Sequence, residues 1–255
     1  MRSSLFILGS TRSGTSAIRN ALAETRYRGP GEGHTIGLLG SLRDTVDTYF
    51  RENEPALGHG TLLKEWRRDE FWNDIVAAYL NQTTRVFPGD YYLDKTPNII
   101  PVIFLDVITS SMPSPHFVFC RRRGIDNILS KRRKWPDTPF VIHCEEWRDV
   151  LDLWDAKKRE LDAPWIEIEF DALVLQPDQV ARRLGEFLSL SEEEIAHIEA
   201  SLSDGSGSIA TEPGVSIDDT GWTDEEKKVF NDECHSTMER CGYGYYSYWR
   251  TVRAR

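Results

Sequence analysis

Closely spaced metal-binding residues are absent from this sequence. The 255 residues include four cysteines, at positions 120, 144, 234 and 241, and no two of them form a CxxC pair. Zinc sites and iron–sulfur clusters usually need such spacing, so we expect no bound metal. Cys120 lies in an apolar run and is predicted to pack as a small core side chain.

Long apolar stretches are also absent. No run of eighteen apolar residues occurs, so we expect no membrane span. Residues 1–8 have neither the basic start nor the long apolar centre of a signal peptide. Because disulfides form mainly in exported proteins, the unpatterned cysteines and the missing export signal predict a cytoplasmic location.

The sequence has fewer basic than acidic residues. Lys and Arg number 31 against 41 Asp and Glu, which gives a formal net charge of −10. This balance argues against non-specific binding to nucleic acid, so no nucleic-acid partner is expected. The hydrophobic share of 40% is sufficient for one large core, and no repeat or linker divides the chain. We therefore expect a single α/β domain over residues 1–255.

The first segment that indicates chemistry is a small-residue turn near the N-terminus. Residues 5–8 are apolar and read as a buried strand, residues 9–14 form a Gly- and Ser-rich turn, and an amphipathic helix follows. Such a turn points backbone N–H groups and the positive end of the helix dipole at one spot, which predicts an anion site. The alternative is an ordinary tight turn between a strand and a helix.

This turn has the glycine spacing of a P-loop but lacks its lysine. Gly9 and Gly14 match the pattern, whereas Thr15 stands where nucleoside triphosphatases have Lys, and Arg12 lies inside the loop. The loop is therefore predicted to bind a phosphate without metal-assisted ATP chemistry. A P-loop kinase or a nucleotide-binding regulator remains the alternative function.

A second basic segment follows another apolar strand. Phe117 to Cys120 read as buried, Arg122 follows their end, and Ser130 lies eight residues after Arg122. A guanidinium and a hydroxyl both donate to phosphate, and Lys134 lies one helical turn beyond Ser130 on the same face. The remaining arginines of the segment are expected at the surface or on the substrate side: Arg121, Arg123, Arg132 and Arg133.

In combination, these segments resemble the sulfotransferases that use 3′-phosphoadenosine 5′-phosphosulfate (PAPS). Residues 12–16, Arg-Ser-Gly-Thr-Ser, resemble the family's 5′-phosphosulfate loop, and the Arg122–Ser130 spacing resembles its 3′-phosphate signature. Asp94-Lys95-Thr96-Pro97 follows an apolar strand and resembles the segment whose Lys lies near the reacting sulfuryl group. Residues 165–188 and 222–243 resemble structural stretches of the same family.

The resemblance implies a P-loop-like central parallel sheet flanked by helices. It implies PAPS as the sulfuryl donor and adenosine 3′,5′-bisphosphate (PAP) as the product. The implied reaction is a metal-free in-line transfer to a hydroxyl or amine of a small-molecule, lipid, sugar or peptide acceptor. Arg12 and Lys95 are the implied catalytic cations. The implied cofactor-binding residues are Arg12, Ser13, Gly14, Thr15, Ser16, Arg122, Ser130 and Lys134.

The general base is expected just after the first helix. Glu32 matches one Glu of a Gly-Glu-Glu motif in tyrosylprotein sulfotransferases, although Gly33 replaces the second Glu. His34 is the other candidate, since an imidazole suits proton transfer near neutral pH. Residues 35–80 are expected to be helical and to form a wall of the acceptor site. Residues 203–221 are expected to form a mobile loop or a plain linker.

Overall fold

A four-stranded parallel sheet forms the centre of the molecule. The computed structural model describes residues 3–204 and 214–246. The strands are β1 (Ser3–Gly9), β2 (Tyr91–Lys95), β3 (Pro115–Arg121) and β4 (Trp165–Glu169), in the spatial order β2-β1-β3-β4. The expected parallel α/β sheet flanked by helices is confirmed.

Helices connect the strands and cover both faces of the sheet. Within the described residues they are α1 (Thr15–Ala23), α2 (Ile36–Asn53), α3 (Leu62–Glu65), α4 (Arg68–Val86), α5 (Ile100–Ile103), α6 (Leu105–Ser111), α7 (Gly124–Lys134), α8 (Phe140–Lys157), α9 (Phe170–Leu175), α10 (Pro177–Leu188), α11 (Glu192–Ser203) and α12 (Asp224–Arg240), with 3₁₀ turns at Glu54–Ala56 and Ile217–Asp219. None of the helices in these residues is long and apolar enough to cross a bilayer.

The strand residues alternate between two cores. Phe6 and Leu8 pack on the side of α2, α6, α8 and α12, whereas Leu5 and Ile7 pack on the side of α1, α10 and α11. Successive side chains of a strand point to opposite faces, and both faces here are covered. This is why the strands are continuously apolar in sequence. Cys120 is fully buried in the second core, as predicted.

The sheet register brings three chain segments to one edge. Ile7 lies opposite Lys95 of β2, and Gly9 lies opposite Cys120 of β3. Because the strands are parallel, their carboxyl ends open on the same side, where ligands of open α/β sheets bind. The segments that follow β1, β2 and β3 therefore meet at this edge.

Two glycines allow the turn after β1 to pack closely. Gly9 has φ 142°, and a Cβ there would lie 2.5 Å from the carbonyl oxygen of Cys120. Gly14 has φ 90°, and a Cβ there would lie 2.6 Å from Leu173 Cδ1. Both backbone conformations are ones that side chains rarely adopt, so the turn depends on glycine.

Gly14→Ala is expected to destabilise the protein by about 1–3 kcal/mol, since it adds both backbone strain and an overlap with Leu173. Urea unfolding measures the loss. Gly31→Ala is the matched control, because a Cβ at Gly31 would have no heavy atom within 4 Å. Equal unfolding midpoints for the two variants would contradict the role given to Gly14.

The structure describes the first of two further predicted regions, residues 35–80, completely and the second, residues 203–221, only in part. Residues 35–80 are largely helical, comprising α2, α3 and most of α4, as predicted. Their role as a wall of the acceptor site stays a prediction. Of residues 203–221, positions 205–213 lie outside the described residues, and 214–221 include the 3₁₀ turn Ile217–Asp219.

Candidate active site

The turn between β1 and α1 is held in place by side chains of the segment after β3. Asn127 Nδ2 donates to the Thr11 carbonyl oxygen at 2.9 Å and to Ser13 Oγ at 3.0 Å. Arg122 Nη1 donates to the Arg12 carbonyl oxygen at 2.9 Å. No side chain in the described part of the chain caps α1 at Gly14, so the first N–H groups of the helix remain available to an anion.

Arg122 is a buried cation with too little negative charge around it. Its side chain lies over the Phe170 ring at 3.8 Å, and the residue is 8% exposed. Burial lowers the pKa of Arg122 to about 10, despite the attraction of Asp126 and Asp171, and the charge of Arg12 adds to the lowering. A bound phosphate would supply the missing negative charge.

Arg12 connects the two predicted phosphate-binding segments. Its Nε donates to Ser130 Oγ at 3.0 Å, and its backbone lies in the left-handed region at φ 67°. The Arg12 side chain is therefore directed toward Ser130 rather than toward Lys95. Lys134 is exposed, one helical turn beyond the buried Ser130.

Several buried donors around the turn have no protein partner. Within residues 3–204 and 214–246, these include Ser10 Oγ, Thr11 Oγ1 and Arg122 Nε. Buried polar groups are nearly always hydrogen-bonded, so this set indicates a ligand that accepts hydrogen bonds. Hydroxyls and a guanidinium are suitable donors to phosphate, and the residues present therefore fit the phosphates of PAPS.

Lys95, Glu32 and His34 form a second cluster at the same edge. Lys95 Nζ lies 2.6 Å from Glu32 Oε1 and 3.2 Å from Ser16 Oγ, and His34 Nε2 lies 2.7 Å from Glu32 Oε2. The Lys95 side chain is 4% exposed, against 45% for Glu32 and 54% for His34. The cluster thus joins the end of the anion-binding turn to a carboxylate that solvent reaches.

The charge of Glu32 is set by its two partners. Partial burial alone would raise its pKa, but the hydrogen bonds from Lys95 and His34 outweigh burial and lower the pKa. Glu32 is therefore ionised at neutral pH and able to accept a proton. The structure brings both predicted base candidates together with Lys95.

The segment that carries Glu32 packs tightly on the end of β2. Gly33 N donates to the Lys95 carbonyl oxygen at 3.2 Å, and His34 N donates to Thr96 Oγ1 at 3.0 Å. A Cβ at Gly33 would overlap the carboxylate of Asp94. At the position where the resembled motif has its second Glu, the Asp94 carboxylate therefore leaves no room for a side chain.

Two of the four arginines expected at the surface or on the substrate side are buried in ion pairs. Arg121 pairs with Asp155 and, at 2.8 Å, with Glu167 of β4. Arg123 pairs with Asp126 at 2.7 Å and donates to the Gly244 carbonyl oxygen at 3.2 Å. The surface placement is wrong for these two residues, because Arg121 is compensated by carboxylates distant in sequence and Arg123 by Asp126, three residues away. Arg133 is exposed, and Arg132 is partly exposed and pairs with Glu226.

Sequence reasoning missed Asn127, Thr96 and Phe170. Asn127 lies three residues before Ser130 on the same face of α7, a spacing that a helical pattern reveals. The hydrogen bond from His34 to Thr96 spans 62 residues, and no local pattern indicates it.

The fold and these residues together define an α/β protein with a candidate anion site at the carboxyl edge of its parallel sheet. The profile of the Sulfotransferase family matches residues 4–194. The chain therefore belongs to the sulfotransferase family. No sequence match to a curated protein was significant.

Solved sulfotransferases share the fold at low sequence identity. STF9 from Mycobacterium avium is 14% identical, with a TM-score of 0.59 over 97% of this chain and 79% of that one. A sulfotransferase domain from the curacin biosynthetic pathway is 15% identical, with a TM-score of 0.55 over 96% of this chain and 99% of that one. Mouse SULT7A1, solved with PAP, is 13% identical, with a TM-score of 0.54 over 94% of this chain and 86% of that one.

Proposed function

We propose that this protein transfers a sulfuryl group from PAPS to a hydroxyl or amine of an acceptor. One observation carries the proposal: Lys95 Nζ contacts both Ser16, in the first turn of α1, and Glu32. A cation and a proton acceptor thus stand together beside the predicted phosphosulfate position. In-line sulfuryl transfer needs these two groups at that place.

In the proposed reaction the acceptor oxygen or nitrogen forms a bond to sulfur, and the bond from sulfur to the 5′-phosphate oxygen breaks. PAP leaves with the bonding electron pair, and the acceptor proton passes to Glu32 or His34. Lys95 balances the charge that develops on the leaving oxygen, and the amides of residues 13–16 hold the 5′-phosphate. Catalysis thus consists of positioning, charge stabilisation and one proton transfer.

Arg122 and Ser130 are proposed to bind the 3′-phosphate of PAPS. The buried and undercompensated charge of Arg122 supports this assignment, and its contact with the Arg12 carbonyl couples it to the 5′-phosphate turn. Arg12 is proposed to lie between the two phosphates, since it belongs to the 5′-phosphate turn and its Nε donates a hydrogen bond to Ser130 Oγ. Lys134 is the proposed outer contact of the 3′-phosphate.

The acceptor is proposed to bind against residues 35–80. These residues begin directly after His34, and their exposed apolar side chains include Leu38, Tyr49 and Trp66. We also keep the cytoplasm as the proposed location, which is supported by four cysteines that form no disulfide.

The Arg122→Ala variant is expected to bind PAP about 10- to 150-fold more weakly, since a hydrogen-bonded charge contributes about 1.5–3 kcal/mol. Calorimetry with PAP and with AMP measures the effect, because AMP lacks the 3′-phosphate. AMP affinity should fall less than PAP affinity, because AMP loses only the support that Arg122 gives to the turn through the Arg12 carbonyl. Arg133→Ala, at an exposed position, is the control.

Two results would contradict the proposed cofactor. Equal affinity of the wild-type protein for PAP and AMP would show that the protein has no site for the 3′-phosphate. A thermal shift with ATP and Mg²⁺, and none with PAP in the absence of Mg²⁺, would instead indicate the kinase alternative. If PAP binds as expected, transfer of the radiolabelled sulfuryl group from PAPS is then measured with a panel of acceptors. The panel includes a phenol, a primary alcohol, an amino sugar and a tyrosine peptide.

A further inference from the structure

A chain of hydrogen bonds runs from the core of the sheet to the segment that carries the proposed base. The buried carboxylate of Asp94 accepts from Thr96 Oγ1 at 2.9 Å and from the Tyr92 hydroxyl at 3.2 Å. Thr96 Oγ1 in turn accepts from the backbone N–H of His34 at 3.0 Å. A single hydroxyl therefore links β2 to the backbone next to Glu32.

This link holds a segment that has few other fixed points. The side chains of Glu32 and His34 are 45% and 54% exposed, and the His34 backbone lies in the left-handed region at φ 53°. A non-glycine residue in that region is held there by its surroundings. Within the described residues, two hydrogen bonds hold the backbone of residues 32–34 to the end of β2 and the residue after it: Gly33 N donates to the Lys95 carbonyl oxygen, and His34 N donates to Thr96 Oγ1.

The Lys95–Glu32 ion pair does not replace these ties during the reaction. In the proposed function, Lys95 turns its charge toward the leaving oxygen, and its attraction to Glu32 then weakens. The position of Glu32 at that moment depends on the backbone of residues 32–34. The Thr96 hydroxyl is the only side-chain group within the described residues that is seen to accept from this stretch of backbone.

We propose that Thr96 is a positioning residue that holds Glu32 and His34 at the acceptor. Asp94 supports it by fixing the direction of the Thr96 hydroxyl, which donates to Asp94 and so presents its lone pairs to His34 N. This inference rests on the proposed function. It also assigns Asp94 a role in the scaffold, because the Asp94 carboxylate is buried under Gly33 and engaged by Tyr92 and Thr96.

The test compares Thr96→Val, which removes the hydroxyl at nearly constant shape, with Thr96→Ser, which keeps it. Hydrogen exchange of the peptide that covers residues 29–35 reports on the tie without turnover. Thr96→Val should exchange faster there, whereas Thr96→Ser should resemble the wild type. PAP affinity, measured by calorimetry, should be unchanged in both variants.

Turnover is measured with PAPS and the panel acceptor that the wild type sulfates fastest. Thr96→Val should lose about 10- to 100-fold in kcat through misplacement of the base, and Thr96→Ser should recover most of it. The acid limb of the pH profile adds a readout that general damage does not produce. If Glu32 is the base, it acts as the carboxylate anion, so the rate falls as the pH drops through the pKa of Glu32. The hydrogen bonds from Lys95 and His34 lower that pKa, so a Glu32 side chain that is held less firmly by them has a higher pKa. The acid limb of Thr96→Val should therefore lie at higher pH.

The inference is overturned if Thr96→Val exchanges and turns over like the wild type, or if PAP affinity falls as much as kcat. A wild-type protein that binds PAP and transfers nothing to any acceptor overturns the proposed function, and with it the role of Thr96. A wild type that transfers sulfuryl, with a fully active Thr96→Val variant, overturns the inference alone.

Discussion

Replacing Lys95 by alanine is expected to lower the rate of sulfuryl transfer by about 10²–10³. Lys95 is buried at the end of β2, and its ammonium group donates to the hydroxyl of Ser16 in the first turn of α1. In this low-dielectric position, it stabilises charge that develops on the leaving oxygen more than charge already present in the bound donor. PAP affinity should therefore change much less than kcat. Single-turnover kinetics with saturating PAPS separate the two quantities.

Lys228→Ala is the control for the Lys95 variant, because Lys228 is an exposed lysine of α12, which contributes no residue to the proposed site. It should retain the wild-type rate. A Lys95→Ala variant with the wild-type rate on a true acceptor would show that Lys95 has no catalytic role. A variant whose PAP affinity falls in proportion to kcat would show a role in ground-state binding instead.

Glu32→Gln should remove most transfer to an alcohol, by about 10²–10⁴ in kcat, while PAP binding stays intact. Glutamine preserves the shape of the side chain and can still accept from Lys95, but it takes up no proton. A phenol acceptor at high pH should be less affected, since it is already partly ionised. The ratio of the alcohol rate to the phenol rate therefore measures the proton transfer itself.

His34→Asn is the companion variant, because His34 Nε2 shares the Glu32 carboxylate with Lys95. If Glu32 is the base, His34→Asn should keep substantial activity. An inactive His34→Asn with a near-normal Glu32→Gln would reverse the two roles. Full activity of both variants would place the base at another residue.

The residues of the candidate site were largely indicated by local patterns. The turn at residues 9–14, Lys95 at the end of the second strand, and the Arg122–Ser130 spacing each lie within one segment of about 15 residues or fewer. In a parallel sheet, segments that follow apolar strands meet at one edge, so the apolar runs of β1, β2 and β3 already implied their proximity. Glu32 and His34 were indicated on other grounds: both follow the first helix, Glu32 resembles a Glu of the Gly-Glu-Glu motif, and an imidazole suits proton transfer near neutral pH.

Charge compensation was not predictable in the same way. Arg121, Arg122 and Arg123 are adjacent and chemically identical, yet each has a different environment. Arg121 pairs with Glu167 and Arg122 stacks on Phe170, both over more than 40 residues of sequence. The β3–β4 register and the packing of α9 decide which arginine faces the proposed ligand.

The sequence by itself determined the fold class and indicated the candidate site residues, because buried strands and tight turns are encoded by short runs of apolar and small residues. Only the tertiary structure decided how these residues are joined. The Lys95–Glu32 ion pair, the Arg12–Ser130 hydrogen bond and the tie from His34 to Thr96 link positions 63, 118 and 62 residues apart. Such contacts depend on strand order and on the close approach that Gly33 permits at Asp94, neither of which is a local property of the chain.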